Sequence, residues 1–364
     1  MLESNTKPAG RFAALAAAVV AGATLAAPVQ AQQTIDVTAV SGYPPAATWV
    51  RSFKEVYMPA VDAALAKTGK YKIKWNEGFS GTIVKPRGEP DAVQSGIGDV
   101  GLIVTAFHAD KLPLHKISFV TPFTSNSLDL VVRTLNGMEK TEPAFAKIWD
   151  SLNMVNLVLT GPVDNYFVIS KQPIKTVAEL KGKKIGAAGA NLPWIIAAGS
   201  TGVTTNLADA YNSLNTGIYE GVIVWAESLK SFKLCEQAPF IFDGNMGPVQ
   251  GHSVTFNKDV WNKLPDEVKQ AMMAAAPQHS DNATKLVLGG AGEALDWCKA
   301  TYKTEIFHPT ADEKKAWVMA IPNAAKEWAA DLEKTGVAGK AILTKYMDTM
   351  RAANQPIVRH WDRE

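Results

Sequence analysis

Aromatic side chains in turns and at strand ends are the residues of this sequence best suited to binding a small molecule. The set comprises Tyr43, Phe79, Phe107, Phe123, Tyr166, Trp194 and Trp225. A pocket for a small organic molecule needs flat apolar walls and a few polar groups that fix its orientation. The pattern therefore predicts a pocket lined by these rings, although any one of them could instead belong to a hydrophobic core.

The sequence lacks motifs for catalysis and for cofactor binding. It contains no G-x-S-x-G, P-loop, H-E-x-x-H or C-x-x-C pattern. The six histidines are scattered without an i, i+4 pair, and we interpret His108 and His115 as ordinary polar residues. The glycines within 182–186 and 244–247 lack the full spacing of a dinucleotide site. We predict a protein that is not an enzyme and needs no cofactor or metal.

The N-terminal residues indicate export. Lys7 and Arg11 precede a weakly apolar stretch at 12–28, which is too short for a comfortable membrane span. Val29 and Ala31 are small residues at the −3 and −1 positions of a signal-peptidase site, so we predict a signal peptide at 1–31 that is cleaved after Ala31. The alternatives are an uncleaved anchor or a buried helix. Cleavage predicts a periplasmic protein.

Charge and cysteine content narrow the partners and the redox state. The formal net charge of +2 indicates neither a nucleic-acid partner nor a basic membrane-binding face. The two cysteines, Cys235 and Cys298, are disulfide candidates in an oxidising compartment. Two buried thiols are the alternative, and two isolated cysteines do not make a metal site.

Alternating strands and helices predict an α/β fold. Strands are predicted at 34–40, 71–75 and 100–104, with helices at 48–67 and 91–97 between them. This order is typical of an open, mostly parallel sheet with helices on its faces. The pattern restarts with strands at 155–159, 166–169, 184–187 and 219–225 and a helix at 206–215. Residues 253–256 form a strand that could rejoin the first sheet, and helices follow from 263 and over 279–302.

Two such sheets predict two lobes with a ligand cleft between them. We assign residues 32–160 and 249–285 to lobe I, and residues 161–248 and 286–364 to lobe II, the C-terminal part spanning both. In open α/β sheets, ligands bind outside the carboxyl ends of the strands. The fold class is therefore a two-lobed binding-protein fold, with the pocket at the lobe boundary.

Several segments between about residues 90 and 320 carry a family resemblance. They are 94–99 (QSGIGD), 121–123 (TPF), 173–185 (PIKTVAELKGKKI), 210–221 (AYNSLNTGIYEG) and 254–265 (VTFNKDVWNKLP). In order and spacing they resemble the DctP-type solute-binding proteins of tripartite ATP-independent periplasmic (TRAP) transporters. The resemblance implies two lobes joined by a long helix, and delivery of a solute to the membrane permease subunits of a TRAP transporter. We expect a monomer.

The resemblance also implies an arginine that grips the solute carboxylate after the GKKI segment, where this chain has Gly186. Glycine cannot replace a bidentate arginine. By spacing, Tyr166 stands where sialic-acid binders of the family have a further arginine, and the turn that contacts solute reads EGVIVW and ends at Trp225. We therefore expect a pocket with less charge and more aromatic surface.

Two interpretations of this departure stay open. In the first, the positive charge has moved to Arg87, which faces the cleft in the family's geometry; the alternative is a solvated loop arginine. In the second, the solute is neutral or is bound by stacking and by hydrogen bonds from Asn165, Asn191 and Glu227. Both favour a flatter or larger solute than succinate, such as an aromatic or cyclic acid. A module that reports to a membrane sensor and an exported enzyme are the alternative functions.

Overall fold

A computed structural model of the protein describes residues 32–364. The predicted signal peptide lies outside the described residues. The strands are β1 (Gln33–Val40), β2 (Tyr71–Gly78), β3 (Val100–Val104), β4 (Met154–Thr160), β5 (Phe167–Ser170), β6 (Lys184–Ala187), β7 (Thr201–Thr204), β8 (Gly221–Val224), β9 (Phe240–Phe242), β10 (His252–Asn257) and β11 (Glu305–Phe307).

Helices cover both sheets and fill the C-terminal part of the chain. They are α1 (Thr48–Ser52), α2 (Met58–Ala66), α3 (Glu89–Gln94), α4 (Ile117–Val120), α5 (Leu128–Thr141), α6 (Pro143–Ser151), α7 (Leu192–Ile196), α8 (Leu207–Thr216), α9 (Ala226–Ser231), α10 (Lys258–Lys263), α11 (Asp266–Tyr302), α12 (Ala311–Ala320), α13 (Ala324–Lys334) and α14 (Gly339–Ala352). A π-helical turn joins α1 to α2, so the helix predicted at 48–67 is present with one wider turn.

Two mixed sheets form the two lobes. The lobe I sheet has the order β2-β1-β3-β10-β4, and the lobe II sheet has the order β11-β9-β5-β8-β6-β7. In lobe I, β10 runs antiparallel to both β3 and β4. In lobe II, β5 runs antiparallel to β8 and β9. The predicted return of residues 253–256 to the first sheet is therefore confirmed, as is the α/β class.

The chain passes between the lobes in adjacent segments and along one long helix. Val163 and Val249 pair as an antiparallel bridge where two of the connections run side by side. Helix α11 packs on β4, α1 and α2 of lobe I and on α9 of lobe II. At 1.5 Å per residue, its 37 residues span about 55 Å, long enough to reach across both lobes. It is the long connecting helix that the family resemblance implies.

Helix α11 is continuous where two separate helices were predicted. Pro277 lies inside it, and a proline removes one backbone hydrogen bond from a helix. Pro277 and Met273, whose carbonyl loses its intrahelical partner, are both on the exposed face. The buried face continues through Ala276 and His279, and Ser52 Oγ donates to the His279 carbonyl at 2.9 Å.

The C-terminal helices contact lobe I as well as lobe II. Helix α13 packs on α4, and α14 packs on α5. The Trp328 indole donates to the Pro113 carbonyl at 2.7 Å, and the Trp361 indole donates to the Pro122 carbonyl at 2.9 Å. By contrast, the Trp317 indole of α12 donates to the Trp194 carbonyl, beyond β6, at 2.6 Å. The exact lobe boundaries along the sequence stay a prediction.

Candidate functional site

The strand directions bring one edge of each sheet to the lobe boundary. In lobe I, Val104 at the end of β3 is paired with His252 at the start of the antiparallel strand β10. In lobe II, Val224 at the end of β8 is paired with Phe167 at the start of β5. The residues just beyond these strand ends line one common cavity. This is the edge at which open α/β sheets bind ligands.

The cavity has a volume of about 50 Å³ and is walled by both lobes. Its lining is Tyr43, Trp49, Val104, Ala106, Phe107, Phe119, Pro162, Val163, Tyr166, Ala187, Ala188, Thr205, Asn206, Leu207, Ala210, Val222, Ile223, Val224, Trp225, Val249, Gly251 and His252. None of these described residues is Asp, Glu, Lys or Arg. The predicted loss of charge and gain of aromatic surface therefore match the observed wall.

Aromatic rings make contact in two groups, one from each lobe. In lobe I the Trp49 ring lies between Tyr43, at 5.1 Å centroid to centroid in an edge contact, and His252, at 4.0 Å. In lobe II the Tyr166 and Trp225 rings meet edge-on at 6.1 Å. Tyr43, Trp49, Tyr166 and Trp225 are all buried. Such surfaces suit a flat apolar solute.

Two lining residues of lobe I carry buried polar atoms without partners. Trp49 Nε1 and both ring nitrogens of His252 make no hydrogen bond with any described residue. Trp49 is 2% exposed and His252 is 4% exposed. Burial lowers the pKa of His252 to about 3, so its imidazole is neutral near pH 7, with one N–H donor and one acceptor nitrogen. Buried polar groups normally have partners, so these atoms are candidates for binding a ligand.

Arg87 lies behind the cavity wall and joins the two lobes. Its Nη2 atom donates to the carbonyl oxygen of Thr205 at 3.2 Å, and its guanidinium carbon lies 4.1 Å from the centroid of the Phe107 ring. Thr205 and Phe107 line the cavity, whereas Arg87 does not. Its backbone has a φ of 78°, a left-handed conformation that a non-glycine residue adopts only when its surroundings hold it.

Four of the predicted site residues line the cavity: Tyr43, Phe107, Tyr166 and Trp225. The other three predicted rings lie outside the wall. Phe79 packs against Phe53 in lobe I, at 6.4 Å. Phe123 packs against Trp317 at 5.4 Å. Trp194 lies behind Tyr166, at 5.7 Å, and its indole donates to the Phe119 carbonyl at 3.0 Å.

The two predicted asparagines, Asn165 and Asn191, form hydrogen bonds within lobe II and the segments that lead into it. Asn165 Nδ2 donates to the Asp243 carboxylate at 2.9 Å, and its Oδ1 accepts from the Gly247 amide. Asn191 Oδ1 accepts from the Ala188 amide at 2.9 Å. The Asn191 Nδ2 atom is buried without a partner among the described residues. Neither side chain lines the cavity, because each stabilises a turn beside it.

Gly186 and Glu227 are also beside the cavity and not in its wall. A Cβ atom on Gly186 would lie 2.9 Å from the Tyr219 ring, so the Tyr219 ring occupies the space of the expected arginine side chain. Glu227 accepts a hydrogen bond from the Ser231 hydroxyl. Burial raises the pKa of Glu227, while Ser231, Arg51 and the Trp225 indole oppose that rise.

Sequence reasoning missed Trp49 and His252. The helical spacing at 48–67 favoured a core position for Trp49, and its ring indeed faces other aromatic residues of lobe I. The rule that ligands bind beyond the carboxyl ends of strands applies to parallel strands. His252 begins the antiparallel strand β10, whose first residue lies at the same edge as the last residue of β3. No local sequence pattern indicates this reversal of β10.

The remaining features of the described chain concern metals, cysteines and membrane-spanning helices. Among residues 32–364, no group of three His, Cys, Asp or Glu side chains is placed to hold a metal ion. Cys235 and Cys298 form a disulfide with their Cα atoms 5.8 Å apart. Across the same range, no helix combines the length and the apolar character that crossing a membrane requires.

A curated protein is similar to part of this chain. The C4-dicarboxylate-binding periplasmic protein DctP of Rhodobacter capsulatus is 27% identical over 184 residues, which is 50% of this chain and 51% of that protein. The chain thus spans about half the length of the curated relative it matches.

Solved structures share the fold over most of the chain. A TRAP solute-binding protein of Rhodoferax ferrireducens in complex with copurified benzoate has a TM-score of 0.76 at 18% identity, covering 88% of this chain and 98% of that one. A marine metagenome TRAP solute-binding protein specific for aromatic acid ligands, in complex with 3-hydroxybenzoate, has a TM-score of 0.76 at 20% identity, covering 89% and 100%.

A family model matches the central part of the chain. The model is described as bacterial extracellular solute-binding protein, family 7 (DctP), and it matches residues 60–332. That range includes both sheets, apart from β1, and the helix α11 that links the lobes. The chain therefore belongs to family 7 of the bacterial extracellular solute-binding proteins, the DctP family.

Proposed function

We propose that this protein captures a small organic acid with a flat ring between its two lobes and delivers it to a TRAP-type membrane permease. The observation that carries the proposal is the uncharged, aromatic wall of the inter-lobe cavity, to which both sheets contribute. Flat rings gain contact area and edge or stacking interactions from such walls. A flexible dicarboxylate gains little from them.

The mechanism is closure of the lobes around the solute. A solute stabilises the closed form only through its contacts to both lobes. In this chain Trp49 presents the lobe I surface and Trp225 the lobe II surface, so a bound ring touches both. The paired segments at Val163 and Val249 are where the chain crosses and where the backbone can bend.

The cavity volume sets a condition on binding. An apolar cavity of about 150 Å³ binds benzene, whereas the cavity here measures about 50 Å³. A ring-sized solute therefore enters the open form, and the walls close less tightly around it than in this structure. Tyr166 and Trp225 meet edge-on at 6.1 Å in this wall, and movement of either ring would enlarge the space.

A thermal-shift screen tests the proposed solute class, because a ligand that binds only the folded protein raises its apparent stability. Benzoate, 3-hydroxybenzoate, mandelate and pyroglutamate are compared with succinate and malate on protein lacking residues 1–31. We expect at least one ring acid to raise the melting temperature at sub-millimolar concentration. Stabilisation by succinate or malate, with every ring acid silent, would contradict the proposal.

Export, transport and the lack of catalysis are tested on the same protein. N-terminal sequencing of protein recovered from the periplasm should begin at Gln32. Mass spectrometry should recover a bound ring acid chemically unchanged after prolonged incubation. Uptake of that labelled acid by cells carrying a TRAP permease from the same genome should require this protein. Conversion of the solute would instead favour an exported enzyme.

A further inference from the structure

We infer that Trp49 and His252 form the acid-binding pair of the cavity: their ring N–H groups donate to the oxygens of a single carboxylate on the solute. The inference rests on the proposed function and specifies which solutes the site takes. Two neutral rings thereby take the role that a bidentate arginine has in many carboxylate-binding sites. The space near Gly186 cannot hold that arginine, because the Tyr219 ring fills it.

The unpartnered nitrogens point to a ligand with hydrogen-bond acceptors. Leaving a buried donor or acceptor without a partner costs about 1–3 kcal/mol, and the pair holds two donors and one acceptor of this kind within the described residues. A solute that supplies acceptors removes this cost on binding. A purely apolar solute does not, so the pair favours a ring with an acid group over a hydrocarbon ring.

The two rings are held in a fixed relation. Trp49 lies in the first turn of α1, and His252 is the first residue of β10, paired on both sides with Val104 and Thr160. The indole and imidazole centroids are 4.0 Å apart with 32° between the ring planes, so the rings overlap. Both donors therefore belong to one rigid patch of lobe I, and little freedom is lost when a solute binds.

Charges around the pair favour an anion without contacting it. Arg87 lies one layer behind the wall, over Phe107, and Arg51 follows Trp49 on α1. Inside a low-dielectric wall, such charges act over longer distances than in water.

The two ring donors serve one carboxylate, which limits the solute to one acid group. No described residue of the wall is Lys or Arg, so a second carboxylate buried in the cavity would have no cation in contact. Burying a charge without a partner costs far more than burying a paired one. The pair therefore selects aromatic or cyclic monoacids and excludes dicarboxylates of the same size.

The titratable groups that face His252 leave it uncharged before binding. Burial lowers the pKa of His252, and a charge on His279 of α11 would lower that pKa further. Burial lowers the pKa of His279 to about 4, and its Nδ1 atom lies 3.0 Å from the Ser52 hydroxyl. His279 is therefore neutral near pH 7 and does not compete for the carboxylate.

Calorimetric titration of single-site variants tests the acid-binding pair. The probe is whichever of benzoate, 3-hydroxybenzoate, mandelate and pyroglutamate shifts the wild-type melting temperature most, together with the amide of the same acid. Trp49→Phe and His252→Phe each remove a donor and keep a ring. Hydrogen bonds to charged groups contribute about 1.5–3 kcal/mol, so we expect each variant to bind the acid about 10- to 100-fold more weakly.

The amide separates recognition from packing. Hydrogen bonds to an ionised acceptor are about twice as strong as neutral ones, so each variant should lose less affinity for the amide than for the acid. His252→Gln keeps an N–H donor and should recover part of the affinity. Trp261→Phe, on the half-buried helix α10, is the matched control and should bind like the wild type.

The outcomes distinguish this inference from the proposed function. Binding of the acid that is unchanged in both Trp49→Phe and His252→Phe overturns the acid-binding pair and leaves the proposed solute class intact. Equal losses for acid and amide also overturn it, since they indicate a packing role. If no ring acid binds the wild type, the proposed solute class fails, and the pair fails with it.

Discussion

Arg87 of lobe I donates a hydrogen bond to the carbonyl oxygen of Thr205 in lobe II at 3.2 Å. The same guanidinium lies over the Phe107 ring, 4.1 Å from its centroid. One arginine thus contacts both lobes and braces a wall of the cavity. Because the contact joins the two lobes, their separation would break it, and it therefore adds to the stability of the closed form.

Arg87→Gln should weaken solute binding by destabilising the closed form. The change removes a cross-lobe hydrogen bond of about 0.5–1.5 kcal/mol and a cation–π contact of about 0.5–1 kcal/mol. We expect about 5- to 50-fold weaker binding of a ring acid, mostly through faster dissociation, measured by stopped-flow fluorescence. Arg133→Gln, at an exposed ion pair on α5, is the control. Identical dissociation rates in the two variants would contradict the role of Arg87.

Trp225→Ala should weaken binding more than Trp261→Ala. The Trp225 ring lines the cavity and contacts Tyr166. By contrast, Trp261 of α10 packs against Phe256. We expect a loss of at least about 10-fold for Trp225→Ala, since losing a buried aromatic ring costs several kcal/mol of contact. Trp261→Ala should change affinity by less than about 2-fold in calorimetric titration. Equal losses would count against the assigned pocket.

Gly186→Arg should not restore dicarboxylate binding. Even a Cβ at this position would lie 2.9 Å from the Tyr219 ring, which is fully buried. We expect Gly186→Ala to destabilise the protein by about 1–3 kcal/mol in urea unfolding, and Gly186→Arg by more. Gly137→Ala is the control, since nothing lies within 4 Å of its added Cβ and alanine favours a helix by about 0.8–1 kcal/mol. Succinate binding by a folded Gly186→Arg protein would contradict this account.

Removing the disulfide should reduce stability without a large effect on the site. Cys235 and Cys298 are 63 residues apart in sequence, and chain-entropy arguments give such a bridge about 4 kcal/mol. Both cysteines lie in the lobe II core and outside the cavity wall. The Cys235→Ala, Cys298→Ala double variant should therefore unfold at lower urea concentration and bind a ring acid within about 3-fold of the wild type. Unchanged stability would mean that the bridge is not formed in the protein.

Acid should destabilise the protein partly through His252. Burial lowers the folded-state pKa of His252 to about 3, from the ordinary 6.5, so between these values only the unfolded chain takes up the proton. The contribution of His252 is fully present above about pH 6.5 and is lost as the pH falls towards 3, at about 1.4 kcal/mol per unit. The difference in unfolding free energy between wild type and His252→Gln should show this slope between pH 6 and 4. His360→Gln, at an exposed position, should match the wild type, and a flat difference for His252→Gln would contradict the burial argument.

Much of the fold could be predicted from local patterns. The alternating segment at 34–40 and the apolar run at 100–104 correspond to β1 and β3, because period-two alternation and buried apolar runs are properties of the chain itself. The strand at 253–256 corresponds to β10. Its antiparallel direction could not be predicted, because direction depends on where the chain has travelled since residue 160.

Helix α11 also shows where prediction from local sequence patterns fails. Pro277 is a local signal to end a helix, and it suggested two helices. In the structure Pro277 faces solvent while Ala276 and His279 face the core, so burial on the other face holds the helix together. Tertiary packing overrides a local preference when the lost hydrogen bond is on the exposed side.

By itself, the sequence determined the family, the two α/β units and the aromatic character of the pocket, with Tyr43, Phe107, Tyr166 and Trp225 among its wall residues. These depend on residue types and short spacings. Only the tertiary structure decided that Phe79, Phe123 and Trp194 pack beside the cavity, that Arg87 bridges the lobes, and that Trp49 and His252 meet in its wall. The reason is physical: whether a ring lines a cavity or fills a core depends on which strands become neighbours and in which direction they run.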